Sequence, residues 1–263
     1  MEITKTLNLS KRVVVKVGSS LLTNMNSGIR RSVLNNIVSD ISWLIKKNKE
    51  VIIVSSGAIA IGKGMLSFKK ELSLNESQAV AARGQIELMN AWQKSFKKHN
   101  IQVAQILLSP EDTFNKKSSK NAKSTIKTLW NLDCIPIINE NDTTSTDEIK
   151  FGDNDILAAQ ISKLMKANCL ILLSNVDGLF ESNPSNKSKS KLVANVKIIS
   201  QNIKAMAGVA SKNGKGGMIS KIKAAEICTK SKCSVIIASG LKNDPVRSLA
   251  KSNTKATFFF AKK

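Results

Sequence analysis

Short apolar runs, each closing on glycine, serine or asparagine, alternate with helix-spaced segments along almost the whole chain. Arg12–Val17 is β-branched and ends at Gly18-Ser19-Ser20. Residues 51–54 end at Ser55-Ser56-Gly57, residues 134–138 at Asn139-Glu140-Asn141-Asp142, and residues 169–173 at Ser174-Asn175. Such runs, bounded by turn formers, read as buried strands, and 103–108, 234–238 and 257–260 read the same way. Between them, Val33, Leu34, Ile37, Val38, Ile41, Leu44 and Ile45 recur at helical spacing over 31–47. Residues 58–61, 76–98, 118–132, 153–165 and 218–230 also read as helices. Strands alternating with helices predict an α/β fold, with a mostly parallel sheet covered on both faces. No internal repeat or long linker interrupts the pattern, so one domain over 1–263 is expected. The polar stretch 181–191, with Asn183-Pro184 and alternating serine and lysine, reads as a mobile excursion.

Composition removes several functional classes. A chain of 263 residues, 42% apolar, can bury a substantial core. No run reaches the ~18–20 apolar residues of a membrane span. The first eleven residues lack the apolar stretch of a secretory signal, so the cytoplasm is the expected compartment. Cys134 and Cys169 lie in strand-like runs as small core residues. Cys228 and Cys233 lack CxxC spacing and His99 is the only histidine, so no zinc site is expected. His99 sits in Lys97-Lys98-His99-Asn100, a poor place for a nucleophilic triad. The net charge of +22 invites a nucleic-acid reading. The lysines are spread evenly, arginine is scarce, and aromatics are only 4%. Stacking platforms are therefore lacking, and the composition argues against nucleic acid. The charge should still draw anionic substrates at low salt.

In an open parallel sheet the carboxyl ends of the strands share one rim, where ligands bind. Acidic and amide side chains packed there are costly to desolvate unless they meet a ligand or each other. The Asn139–Asp142 and Gly152-Asp153-Asn154-Asp155 clusters therefore mark a place for a small polar substrate. Each cluster alone could equally be a solvated loop capping the next helix. Lys16, embedded in valines, needs a partner or an anionic ligand, unless its strand is an edge from which it reaches solvent. Gly214-Lys215-Gly216-Gly217-Met218 opens a helix carrying Lys221. Glycine lets backbone N–H groups approach phosphate, and a helix start adds favourable partial charge; the bland alternative is a flexible loop. Gly57 to Gly64 only approximates a Walker A motif, because Gly64 stands where the magnesium-binding hydroxyl belongs. Two lysines, glycine-rich turns and acidic and amide clusters suit phosphoryl transfer, which relies on positioning and charge neutralisation. A carboxylate acceptor is already ionised at neutral pH and needs no general base. Asp155, in the first turn of its helix, could pair with Lys16 or Lys221, and Asp142 and Asn154 could hold a substrate's ammonium and carboxylate.

At these residues the chain resembles the amino acid kinase family, in its branch acting on glutamate. The matching stretches contain Lys16, Ser56, Asp142, Glu148, Asn154-Asp155, Ser174-Asn175 and Lys221, in order from about residue 12 to 240. The resemblance implies a three-layer αβα sandwich with a mostly parallel central sheet. It implies transfer of the ATP γ-phosphate to the side-chain carboxylate of L-glutamate, the first step of proline synthesis. Lys16, Lys221 and Asp155 would be catalytic. Ser56, Gly57, Asp142 and Asn154 would bind the amino acid. Lys16, Gly18, Ser19, Ser174, Asn175, Lys215, Gly216, Gly217, Met218, Ile219, Ser220 and Lys221 would bind ATP. Magnesium would ride on the ATP phosphates, with no metal held by the protein. A homo-oligomer (dimer or tetramer) and feedback inhibition by proline are further implications. The chain departs from the family at Asn175, where aspartate is usual, and at Lys215, where a small or hydroxyl residue is usual. It is expected to lack the C-terminal PUA domain that many bacterial members carry. The other readings left open are a relative acting on another carboxylate, a carbamate or a nucleotide, and a regulatory or nucleic-acid-binding protein without turnover.

Overall fold

The computed structural model describes residues 2–24, 28–68, 71–144, 154–182, 190–208, 217–251 and 254–262. Its strands are β1 (Arg12–Val17), β2 (Thr23–Asn24), β3 (Gly28–Ile29), β4 (Glu50–Ser55) and β5 (Gln102–Leu108). They continue with β6 (Cys134–Glu140), β7 (Cys169–Ser174), β8 (Asn195–Val196), β9 (Ser234–Ser239) and β10 (Ala256–Phe259). Among the described residues eight of these form one sheet in the order β5-β6-β4-β1-β7-β9-β10-β8, and β2 pairs with β3 in a small hairpin. The ladders from β5 to β9 are parallel. β10 runs antiparallel to β9 and carries β8 parallel to itself.

Period-two alternation divides the strand residues between two core layers. Val13, Val15 and Val17 face one layer, where they meet the Glu2–Leu9, Arg31–Lys46, Ala58–Met65 and Leu74–Lys97 helices. Val14, Ile52 and Val54 face the other, under the Lys116–Asn131, Asn154–Leu164 and Met218–Lys230 helices. The result is a three-layer αβα sandwich. Strands buried on both faces must be apolar throughout, which is why these segments show as unbroken runs. β1 lies at the centre, with β4 on one side and β7 on the other. The chain builds outward from it in both directions, so the carboxyl end of β1 lies at the topological switch, where a crevice opens.

The structure corrects several boundaries. β6 continues through Asn139 and Glu140, which pair with Leu107 and Leu108 of β5; they close the strand instead of following it. The long helix begins at Leu74, capped by Ser73, whose hydroxyl accepts from the Glu76 N–H while the Glu76 carboxylate accepts from the Ser73 N–H. Glu76 is thus the third helical residue and not the first. The sequence reading missed the Glu2–Leu9, Pro110–Phe114 and Gln201–Met206 helices and the two-residue strands. Elements this short have little stability of their own and form because tertiary contacts hold them. Leu7, for instance, is buried in the first core layer. Residues 183–189 of the expected excursion lie outside the described residues. At its base the Glu181 N–H donates to the Lys191 carbonyl (3.0 Å) and the Ser190 hydroxyl to the Ser182 carbonyl (2.7 Å). No described helix is long and apolar enough to cross a membrane.

Candidate active site

Because β1 is central, Lys16 has no sheet edge by which to reach solvent. It shares a face with Val14, under the helices that carry Asp155 and Lys221. The Lys16 Nζ lies 2.5 Å from Asp155 Oδ1, and the Lys221 Nζ donates to Asp155 Oδ2 at 2.9 Å. Asp155 is fully buried, and Lys16 and Lys221 are 4% and 5% exposed. The Ser220 hydroxyl donates to Asp155 Oδ2 (3.0 Å) and lies 2.8 Å from the Gly217 carbonyl oxygen. Burial by itself would raise the pKa of Asp155. The two ammonium groups outweigh it and hold the carboxyl below the usual carboxylate range. Two cations on one anion leave a net positive wall in a low-dielectric site, which suits a migrating phosphoryl group.

These lysines line a cavity of about 520 Å³ over the carboxyl ends of the central strands. Gly18 and Ser19 follow β1 into it, and Ser174 and Asn175 enter from the end of β7. The Ser174 hydroxyl donates to Asn175 Oδ1 at 3.3 Å. Ser56 and Gly57 leave β4; Gly57 has φ of 121°, a conformation open to glycine and strained for other residues. It starts the Ala58–Met65 helix. Asp142 and Asn154 also line the cavity, Asn154 beside Ser56. Gly217 and Met218 open the Lys221 helix, but they and Ile219 do not wall this cavity. Lys215, Gly216, Glu148, Gly152 and Asp153 lie outside the described residues.

Asn154 is the hub of the acceptor side. Its Nδ2 donates to the Ser55 carbonyl (3.1 Å), Ser56 Oγ (2.9 Å) and Asn139 Oδ1 (2.6 Å). Asn139 Oδ1 also accepts from the Glu140 N–H (2.9 Å), and Asn139 Nδ2 donates to Gln85 Oε1 (2.8 Å). The side-chain nitrogen of Asn154 is committed to the protein, so its carbonyl oxygen is left for a ligand. Ser56 accepts from Asn154, which leaves its own O–H to donate. The sequence points to Asn139 and Glu140 only as part of a cluster, with no role of their own, and does not point to Gln85 or Lys63. Gln85 lies four residues after buried Ala81, so a polar residue beside the core-facing stripe was the available signal. Lys63, Asn139 and Glu140 line the cavity; Lys63 stands in the Gly57 to Gly64 stretch that only approximates a Walker A motif.

The sequence matches the amino acid kinase family over residues 11–239. It is 47% identical over 255 residues to the glutamate 5-kinase of Pelagibacter ubique (strain HTCC1062), covering 96% of this chain and 69% of that one. It is 45% identical over 257 residues to the glutamate 5-kinase of Nitrosospira multiformis, covering 97% and 69%. Among solved structures, UMP kinase from Ureaplasma parvum superposes with a TM-score of 0.67 at 15% identity, covering 95% of this chain and 98% of that one. The T. acidophilum isopentenyl phosphate kinase superposes at 0.64 and 13% identity, covering 94% and 99%. These two likenesses speak for the fold alone. With a family match over most of its length and relatives nearly half identical throughout, the chain belongs to the amino acid kinase family.

Proposed function

We propose that this chain transfers the γ-phosphoryl group of MgATP to the side-chain carboxylate of L-glutamate, the first step of proline synthesis. The products are L-glutamyl 5-phosphate and ADP. The observation that carries the reading is the Lys16–Asp155–Lys221 triad at the wall of the cavity. Relatives 41–47% identical and named glutamate 5-kinase support the acceptor. A carboxylate oxygen of glutamate attacks the γ-phosphorus and the bond to the β-phosphate oxygen breaks. Acceptor and leaving group are both anionic, so no proton has to be moved and no histidine is needed. Lys16 and Lys221 neutralise the charge spreading over the phosphoryl oxygens, and Asp155 holds both in place. Asp142 and the Asn154 carbonyl oxygen take the substrate ammonium, and the Ser56 hydroxyl and Gly57 take its α-carboxylate. ATP runs past Gly18, Ser19, Ser174 and Asn175 towards the glycine turn at 215–221. Both oxygens of Asp155 face lysines, so magnesium enters on the ATP phosphates as part of the substrate.

The same reading takes the chain as one catalytic domain over 1–263, working as a homo-oligomer in the cytoplasm. All four cysteines are free thiols, which fits a reducing compartment. Proline carries an amine and an α-carboxylate on one carbon, as glutamate does, and would compete for the same groups. The test is hydroxylamine trapping: ATP, Mg²⁺ and L-glutamate should yield the γ-hydroxamate together with ADP. Absence of hydroxamate with every acidic amino acid would overturn the reading.

A further inference from the structure

We propose that Gln85 is a positioning residue that sets the donor–acceptor polarity of the glutamate pocket through Asn139. The inference deepens the glutamate-kinase reading and rests on it. Two backbone groups whose chemistry is unambiguous decide how the buried amides point. The Glu140 N–H can only donate, so the Asn139 atom facing it must be Oδ1. The Ser55 carbonyl can only accept, so the Asn154 atom facing it must be Nδ2. Asn139 Nδ2 is then turned away from the strand, and its hydrogen bond goes to Gln85 Oε1 at 2.8 Å.

Asn139 is 3% exposed, so without the Gln85 acceptor its NH2 group is left buried with its hydrogen-bond partner removed. An unsatisfied buried donor is costly enough to make a side chain rotate or the site reorganise. Rotation of Asn139 would take Oδ1 away from Asn154 Nδ2, which it now holds at 2.6 Å. Asn154 would lose one of the three acceptors that fix its orientation, and Ser56 would lose the donor that directs its own O–H outward. Gln85 does not itself line the 520 Å³ cavity. It lines a neighbouring cavity of about 260 Å³ that shares Glu140 and Asp142 with the first, and reaches the glutamate pocket through Asn139.

The backbone under Gln85 is built for such precision. At the preceding residue, Gly84, a Cβ would lie 1.9 Å from the Ala58 carbonyl oxygen. Ala58 directly follows Gly57 of the pocket. The long helix is thus pressed backbone-to-backbone onto the helix that starts at the site, which leaves Gln85 little freedom to drift.

Steady-state kinetics of the full chain test the relay with two substitutions. Gln85→Met keeps the length and removes the acceptor; Gln85→Glu keeps an acceptor oxygen. The expected result for Gln85→Met is a KM for L-glutamate raised about tenfold, the effect of one lost buried hydrogen bond. The KM for ATP and kcat should stay within about twofold, and Gln85→Glu should restore most of the glutamate affinity. An unchanged glutamate KM in Gln85→Met would overturn the proposal. So would equal losses in both variants, or a fall in kcat and ATP affinity alongside. A parent enzyme inactive on glutamate would sink the functional reading instead. The relay then stands or falls on the side-chain NH2 signals of Asn139 and Asn154 in 15N spectra. These should exchange slowly in the parent and quickly in Gln85→Met; equal exchange would overturn it.

Discussion

The carbonyl oxygen of Ala58 sits where the side chain of residue 84 would have to be: a Cβ on Gly84 would approach it to 1.9 Å. The contact is reciprocal, since a Cβ on Gly62 would lie 2.0 Å from the Val80 carbonyl oxygen. Two helices therefore cross at glycines, one beginning at the pocket and the other carrying Gln85. In an open helix interior Gly→Ala gains up to about 1 kcal/mol. Here the gain is opposed by a backbone clash that only separating the helices can relieve, and overpacking typically costs about 1–3 kcal/mol or more. Gly84→Ala should lower the urea midpoint and weaken glutamate binding. A midpoint equal to or above the parent's would show that the helices part freely.

Lys16→Met and Lys221→Met should each lower kcat by about 10²–10³, because the charge they neutralise develops in the transition state. Single-turnover phosphoryl transfer is the measurement that isolates the step. Turnover near the parental rate would remove that lysine from the catalytic role.

Asp155→Asn should damage folding as well as turnover. It leaves two buried ammonium groups without their anion, and breaking a buried pair from one side costs about 3–5 kcal/mol. Chemical denaturation at neutral pH should show the loss, and a variant as stable as the parent would contradict the assigned pairing.

Asp155 also predicts a pH dependence. Its folded-state pKa is depressed by Lys16 and Lys221 against the effect of burial. The unfolded value is about 3.9. The stabilisation is therefore complete above about pH 4–5 and is lost as pH falls towards the lower folded value. The parent should lose stability more steeply than Asp155→Asn on acidification in that range. Parallel curves for the two proteins would contradict the linkage.

The +22 net charge should give weak, sequence-independent retention of DNA at low salt that collapses near ~150 mM. Filter binding measures it. Specific retention at that salt would revive a nucleic-acid role.

Much of the site is legible in the amino-acid sequence. Lys16 is conspicuous because a charge among valines requires a partner, Asp142 and Ser174 because they stand just beyond apolar runs, and Asn154 because it belongs to a second acidic and amide cluster. These are local signals: hydrophobic periodicity and turn chemistry act within a few residues, and they reveal which segments are strands and which side chains stand at their ends. From the sequence, Asn139 and Glu140 stand at the edge of the strand, because the apolar run stops at Ile138. The ladder to Leu107 and Leu108 that makes them strand comes from elsewhere in the chain.

Residue order thus carried the α/β alternation, the buried strands and the polar rim. Folding in three dimensions chose the partners. Asp155 takes both lysines because β1 is central and two helices lie over the face shared by Val14 and Lys16. Gln85, on the long helix, meets Asn139, on β6, 54 residues further along the chain. Contacts between segments so distant in the chain depend on strand order and helix crossing, and neither leaves a periodic trace in the residues that eventually meet.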